Sequence, residues 1–244
     1  MQKTEYHPLE PFLPENARVL FLGSFPPPRQ RWSMDFFYPN FINDFWRIIG
    51  LVFYGDREHF VIPGAKRFDR ERIMDFCKEK GIALFDTATE VRRLQDNASD
   101  KFLEVVTPTD LPALLARIPA CRAVATTGQK AADVLAAAFG CPAPPVGGSV
   151  SIVIPPSSSP TSISSIDISL DSNSPNNVSP DSIFTTGVSP DSIFNTGVSP
   201  NSVFPTAGRQ LDFYRMPSTS RAYPLPLERK AESYRHLFTN LGLI

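Results

Sequence analysis

Amide side chains lie among many aromatic rings between residues 36 and 46. The segment FFYPNFINDFW holds six aromatic residues in eleven positions, and Asn40, Asn43 and Asp44 interrupt them. An amide side chain can donate and accept hydrogen bonds at the same time, so Asn43 could hold a water molecule or the edge of a ligand. The alternative is structural: the rings belong to the core, and Asn43 or Asp44 caps the helix that follows.

A proline-rich loop precedes this segment and itself follows an apolar run. RVLFL, residues 18–22, ends at Gly23 and is predicted to be a buried parallel strand. GSFPPP, residues 23–28, can neither extend a strand nor begin a helix, because three prolines remove three backbone donors and fix three φ angles. Ligands of open α/β sheets bind where the carboxyl ends of strands give way to loops. The loop is therefore the first candidate for a binding site.

The chain then repeats an order of strand, polar turn and helix. Further strands are predicted at residues 82–86, 122–128 and 210–216, and helices at residues 45–53, 69–80, 110–118, 129–139 and 227–241. This order implies right-handed βαβ units. We therefore predict an α/β protein, a three-layer α/β/α sandwich around a parallel sheet of about four strands. Residues 1–16 are predicted to be an extended arm, and residues 90–104 loop and short helix.

The composition changes abruptly after Pro142. Residues 149–208 are rich in Ser, Pro, Asn and Thr and contain three near-copies of a ten-residue unit, the first being VSPDSIFTTG. Such units hold too few apolar residues to offset the entropy of ordering them. We predict a flexible insert at 149–208 within a single domain formed by residues 1–148 and 209–244. A short stack of turns or hairpins is the alternative.

Charge and cysteine content exclude several classes of protein. The three cysteines are odd in number and widely spaced, so neither a disulfide framework nor a zinc site is predicted. No run of eighteen apolar residues and no apolar leader occurs, which predicts a soluble protein of the cytoplasm or the nucleus, without a membrane partner. Residues 149–208 contain four acidic and no basic residues, leaving 24 basic and 21 acidic residues elsewhere. That mild excess is compatible with a nucleic-acid partner but does not require one.

Three titratable residues are expected to have structural roles. His7 lies in the N-terminal arm and is predicted to be a surface residue. His236 lies on the last helix among apolar residues. Asp86 ends a predicted strand, where a capping or structural role is favoured over direct assistance to a site.

Three of these segments together resemble a known family. GSFP at residues 23–26, FFYPNFINDFW at 36–46 and MPSTSRA at 216–222 resemble the uracil-DNA glycosylase superfamily, nearest the hypoxanthine-DNA glycosylases and next the mismatch-specific uracil or thymine glycosylases. The resemblance covers most of the chain except the insert. It implies a uracil-DNA glycosylase-like fold, DNA as partner and no metal or other cofactor, since the iron-sulfur members need four clustered cysteines.

The first motif of the superfamily is Gly-x-Asn/Asp-Pro, whose amide or carboxylate positions the attacking water. Phe25 occupies that place here, and a phenyl ring cannot polarise water. The hypoxanthine branch resembles this chain in lacking the Asn or Asp of the first motif. It has instead an asparagine before Phe-Trp, and this asparagine matches Asn43. The resemblance therefore implies that Asn43 is the catalytic residue. Ser24, Phe25, Tyr38 and Asn40 are then the implied base-binding residues, with Tyr38 stacking on a flipped base.

The second motif begins Leu-Pro-Ser in some relatives, and Met216 replaces that leucine here. The histidine that other relatives have is missing, so no side chain there stabilises an oxyanion. Serine hydroxyls can bond to a phosphate, and an arginine can contact the backbone or enter the minor groove. The resemblance implies a DNA-binding loop made of Pro217, Ser218, Thr219, Ser220 and Arg221.

The predicted function is hydrolysis of the N-glycosidic bond of a flipped deaminated base by a monofunctional, monomeric DNA glycosylase. Uracil, hypoxanthine and xanthine are the candidate bases. A second hypothesis is a catalytically weak or inactive member that binds damaged or single-stranded nucleic acid. A third makes the Ser-Pro repeats a phosphorylatable or partner-docking tether.

Overall fold

A computed structural model of the protein describes residues 3–94, 102–154 and 208–244. Its strands are Thr4–Tyr6 (β1), Val19–Gly23 (β2), Ile82–Asp86 (β3), Ala88–Arg93 (β4), Leu103–Pro108 (β5), Ala123–Thr127 (β6), Ser149–Ile154 (β7) and Arg209–Met216 (β8). Its helices are Phe45–Tyr54 (α1), Arg70–Lys80 (α2), Leu111–Ala116 (α3), Gln129–Phe139 (α4) and Leu227–Asn240 (α5). The described residues all belong to one compact unit.

The central sheet has five strands in the order β3-β2-β6-β8-β7. The first four are parallel neighbours, and β7 pairs antiparallel with β8 at the edge. The sheet is therefore mixed, and the prediction of a parallel sheet of about four strands is corrected by this fifth strand. β7 falls inside the range that was predicted to be a flexible insert. Its serines suggested loop, but Ile152 and Ile154 alternate into the core and make a strand.

The remaining residues of the predicted insert, 155–207, lie outside the described residues. The prediction that they are flexible therefore stays a prediction.

A second, smaller sheet was not predicted. It is antiparallel and has the order β1-β4-β5, and its strands β4 and β5 occupy both ends of the range 90–104, where loop and short helix were predicted. Residues 95–101 of that range lie outside the described residues. Polar residues dominate β4 and β5, but Ala88 and Val91 of β4 and Leu103 of β5 are buried together, so few apolar residues suffice to bury one face. The N-terminal arm supplies the edge strand β1, and the arm is thereby tied to the domain.

Aromatic packing holds three helices on one face of the central sheet. Phe21 of β2 contacts Phe45 of α1 and both Tyr234 and Phe238 of α5. Phe53 of α1 contacts Phe238 and reaches α2 through Phe76. After β2 the chain passes to β3 on one side, and after β6 it passes to β8 on the other side. Because connections between parallel strands are right-handed, α4, which follows β6, lies on the opposite face of the sheet. The direction of winding thus reverses between β2 and β6.

Capping residues mark the start of α3 and the end of α2, whereas Asp44 at the start of α1 makes no side-chain cap bond. Asp110 accepts a hydrogen bond from the Ala113 N–H at the start of α3, and Gly81 ends α2 in the left-handed conformation. His236 is exposed on α5 and takes no part in the cleft described below. Within the described part of the chain, no helix is both long and apolar enough to cross a membrane.

The three cysteines are unpaired and differ in burial, which gives a first testable prediction. Burial raises the pKa of the Cys121 thiol to about 11 and raises the pKa of Cys77 further still. Both thiols therefore stay protonated at neutral pH, and thiols react as thiolates. We expect N-ethylmaleimide to modify Cys141 alone in the native protein and all three in denaturant, as read by peptide mass spectrometry. Rapid native modification of Cys77 would contradict the packing of α2 against β3.

Candidate functional site

A cleft of about 710 Å³ opens at the carboxyl edge of the central sheet. Three loops line it: the one after β2, the one after β6 and the one after β8. It lies between β2 and β6, where the direction of winding reverses, which is the usual position of ligands in open α/β sheets. The fold alone therefore directs attention to this edge.

The cleft brings together most of the residues predicted from the sequence. Nine of the ten line it, namely Ser24, Phe25, Tyr38, Asn40, Asn43, Ser218, Thr219, Ser220 and Arg221. Pro217 lies behind it, buried, and its carbonyl accepts a hydrogen bond from the Tyr234 hydroxyl on α5. Residues from opposite ends of the chain thus meet at one surface.

The aromatic segment serves both the core and the cleft. Phe36, Phe37, Phe45 and Trp46 are buried, so the structural interpretation holds for those rings. Tyr38 is different, because it lines the cleft and is only half-buried. Its φ of 51° is unusual for a residue other than glycine. Its ring stacks on Phe45 at 3.8 Å between centroids. Only the other face of the Tyr38 ring is therefore available to a planar ligand.

The Tyr38 hydroxyl is fixed within the cleft. It lies 3.0 Å from Thr127 Oγ1, which joins the loop after β2 to the end of β6. Burial, and next the negative charge of Asp86, raise the pKa of the Tyr38 phenol well above its ordinary value. The phenol therefore keeps its proton throughout the physiological pH range.

The two asparagines use their carbonyl oxygens to build the turn before α1. Asn43 Oδ1 accepts from the Phe45 N–H at 2.9 Å, and Asn40 Oδ1 accepts from the Ile42 N–H at 3.1 Å. Both are the local side-chain turns that asparagine favours. Each can still offer a ligand its Nδ2 donor and the second lone pair of Oδ1. With one lone pair of Oδ1 held by the turn, Asn43 can present its Nδ2 to a carbonyl without disturbing α1.

Asp44, next to Asn43, anchors the loop that follows β8. Lys230 on α5 is 1% exposed, and its ammonium donates to Asp44 Oδ2 at 3.0 Å and to the Ser220 carbonyl at 2.9 Å. The Asp44 N–H donates to the Thr219 carbonyl. Arg221 reaches the same carboxylate from solvent at 3.4 Å. These contacts hold the loop against the start of α1.

The serines of this loop shape successive tight turns. Ser218 Oγ accepts from the Ser220 N–H, and Ser220 Oγ accepts from the Ala222 N–H. Each hydroxyl still has its own hydrogen to donate. The loop can therefore present hydroxyl donors to an anion without changing its conformation.

A histidine that was expected at the surface lies behind the cleft. The side chain of His7 is 4% exposed, and its Nε2 lies 2.9 Å from Asp86 Oδ2. Its ring centroid is 4.6 Å from that of Phe85 and 5.4 Å from that of Phe25. The surface prediction for His7 is thus wrong, because β1 pairs with β4 and carries the following residue over the end of β3. No pattern local to His7 indicated this contact.

Asp86 itself projects into the cleft across the end of β2. A Cβ atom on Gly23 would lie 2.3 Å from Asp86 Oδ1, so only glycine fits at that position. Among the described residues that line the cleft, Asp86 is the one acid. Phe25, which lines the cleft, packs on the other side against His7 and under the guanidinium of Arg93.

The rim of the cleft is basic. Arg31, Lys130, Arg215 and Arg221 line it, against the single carboxylate of Asp86. Arg215 is held in place by the Gln129 side chain and the Pro144 carbonyl. A cleft with basic walls attracts a polyanion such as a nucleic-acid backbone.

The chain is similar in part to a solved structure. The solution NMR structure of "a putative Uracil DNA glycosylase" from Methanosarcina acetivorans matches with a TM-score of 0.43 and 23% sequence identity, over 57% of this chain and 80% of that one. No known protein family matches the sequence, and no curated protein does.

Proposed function

We propose that the protein is a monomeric DNA glycosylase that hydrolyses the N-glycosidic bond of a flipped, deaminated base. The observation that carries the proposal is the meeting of three glycosylase-like segments at one cleft. The cleft offers what the reaction needs: a ring for stacking, amide donors for the base, one carboxylate, and a basic rim for the strand. No metal or covalent nucleophile is required for this chemistry.

The flipped base would stack on the open face of Tyr38. Asn43 Nδ2 would then donate to a carbonyl of the base. Deamination replaces an exocyclic amino group by a carbonyl in uracil, hypoxanthine and xanthine alike, so a donor at this place favours the lesion over the parent base. As the glycosidic bond breaks, electron density moves onto that carbonyl, and the same hydrogen bond strengthens.

The loop after β8 would hold the strand beside the flipped nucleotide. Ser218 and Ser220 offer hydroxyl donors to a phosphate, and Arg221 lies at the rim, half exposed. Contacts of this kind position a nucleic acid without reading its sequence. Binding should accordingly weaken as salt rises.

The proposal is tested by release of free base from oligonucleotides that carry one uracil, hypoxanthine or xanthine, followed by alkaline cleavage. We expect wild type to release at least one of these bases and Asn43→Ala to be slower by about 10²-fold in single turnover, the typical effect of losing one such donor. Asn16→Ala is the matched control, because Asn16 is exposed and its Nδ2 bonds to the Lys78 carbonyl away from the cleft.

A second candidate function is binding of damaged or single-stranded nucleic acid without cleavage. It is favoured by Phe25 in the place of the water-positioning residue and by the use of Asn43 Oδ1 in the turn. It predicts retained DNA binding with no release of any base, by wild type or variant. That result would overturn the enzyme proposal.

A deletion tests whether the Ser-Pro repeats contribute to base release. Removing residues 158–206 should leave base release and DNA affinity unchanged if the repeats are only a tether. A loss of both would assign the repeats a part in the site.

A further inference from the structure

We propose that Asp86, oriented by His7, is the catalytic carboxylate of this glycosylase and replaces the water-positioning residue missing from the first motif. The inference rests on the proposed function and names the group that acts on water. Asp86 would be a catalytic residue, because it touches the attacking water, and His7 a positioning residue, because it acts through Asp86.

The two oxygens of this carboxylate face different surroundings. Oδ2 accepts from His7 at 2.9 Å. Oδ1 lies beside Gly23, at the place where Asp86 lines the cleft. A carboxylate oxygen has lone pairs with which it can accept a hydrogen bond from a water molecule in the cleft.

The backbone of Leu9 orients the His7 ring toward Asp86. Nδ1 lies 2.8 Å from the Leu9 carbonyl and 3.2 Å from the Leu9 nitrogen. Nε2, on the other side of the ring, lies 2.9 Å from Asp86 Oδ2. The rings of Phe25 and Phe85 pack against the imidazole and hold it in this orientation.

The other candidates for this task are excluded by their chemistry. Phe25 has no polar atom in its side chain, and the amide of Asn43, unlike a carboxylate, is too weak a base to take a proton from water. The remaining charged groups of the cleft are cations. A cation cannot accept a proton from water or stabilise the positive charge that forms on the sugar.

The reaction step follows from this placement. Asp86 Oδ1 accepts a hydrogen bond from water, whose oxygen attacks C1′ of the flipped nucleotide. The C1′–N bond breaks, its electron pair stays on the base, and the proton of the water passes to the Asp86 carboxylate. The base leaves as an anion and takes a proton from solvent. The negative charge of Asp86 also opposes the positive charge that develops on the sugar.

The test compares Asp86→Asn with wild type in single-turnover release of the base that wild type removes fastest. We expect a fall of about 10² to 10⁴-fold, the usual contribution of a general base. Affinity for a duplex that carries a tetrahydrofuran abasic analogue should stay within about twofold, because the substituted amide still fits the cleft. Asp75→Asn, at an exposed position on α2, is the matched control and should change neither quantity.

His7 is tested by two substitutions that differ in one donor. His7→Phe keeps a ring among the aromatic neighbours but removes the hydrogen bond to Asp86, so the release rate should fall by about 10 to 100-fold at unchanged affinity. His7→Gln retains an N–H donor and should recover most of the rate. A role in stability alone would lower the melting temperature of both variants and would not produce this recovery.

The outcomes test the role of Asp86 and the glycosylase function separately. Equal rates for wild type and Asp86→Asn would overturn the inference and leave the glycosylase proposal intact. An Asp86→Asn variant that keeps its rate but releases a different base would also overturn it, since Asp86 would then read the base. Absence of release by wild type from every oligonucleotide would overturn the proposed function and this inference with it.

Discussion

Lys230→Met is expected to lower the free energy of unfolding by about 3–5 kcal/mol, the usual cost of removing one partner of a buried ion pair. Lys230 and Asp44 are both buried, and methionine replaces the stem of the lysine without its charge. Of the cations in the described part of the chain, the exposed Arg221, at 3.4 Å, would alone remain to oppose the buried charge of Asp44. Urea unfolding followed by circular dichroism measures the change.

Two further variants show whether the loss comes from the buried charge. Arg229→Met removes a neighbouring cation whose partner, Glu232, lies at the surface, and should cost at most about 1 kcal/mol. The double variant Asp44→Asn with Lys230→Met removes both charges and should recover part of the stability. A loss of under 1 kcal/mol in Lys230→Met would show that the ion pair does not hold the loop.

Gly23→Ala is expected to reduce base release by at least about 10²-fold while the protein stays folded. The new methyl group would lie 2.3 Å from Asp86 Oδ1, so the carboxylate must turn away from the floor of the cleft. A displacement of about 1 Å in a catalytic group commonly costs this much in rate. Single-turnover release under the conditions used for wild type measures it.

Gly55→Ala is the control for this substitution. Gly55 has a φ of 68° and nothing within 4 Å of an added Cβ, so alanine there meets backbone strain but no neighbour. It should cost about 1–2 kcal/mol of stability and leave the release rate unchanged. If Gly23→Ala releases base at the wild-type rate, Asp86 does not act from the position that it occupies here.

Much of the fold could be predicted from the sequence because its signals are local. The runs that became β2, β3 and β6 are continuous apolar segments with polar ends, and Asp110 and Gly81 mark helix ends chemically. The smaller sheet could not be predicted in this way. Its strands are mostly polar, and their pairing is decided by partners distant in the chain.

The same distinction applies to the cleft. The loops could be located because proline, asparagine and serine cluster at the carboxyl ends of predicted strands. The contact between His7 and Asp86 joins residues 79 positions apart, and neither residue carries a local mark of it. The two interpretations of the aromatic segment were both partly right, since Phe45 and Trp46 are core while Tyr38 lines the cleft. Sequence pattern alone does not divide one segment between two such roles.

The short N-terminal strand would make the rate of base release depend on the fraction of molecules in which that strand is docked. β1 has only three residues, lies at the edge of the smaller sheet, and sets the position of His7. Strands of this kind detach at a free energy far below that of global unfolding. The measured rate would then be the rate of the docked form multiplied by the docked fraction. If Asp86 acts as proposed, base release should therefore fall on warming before the central sheet melts, and the stability of β1 would set the temperature at which it falls.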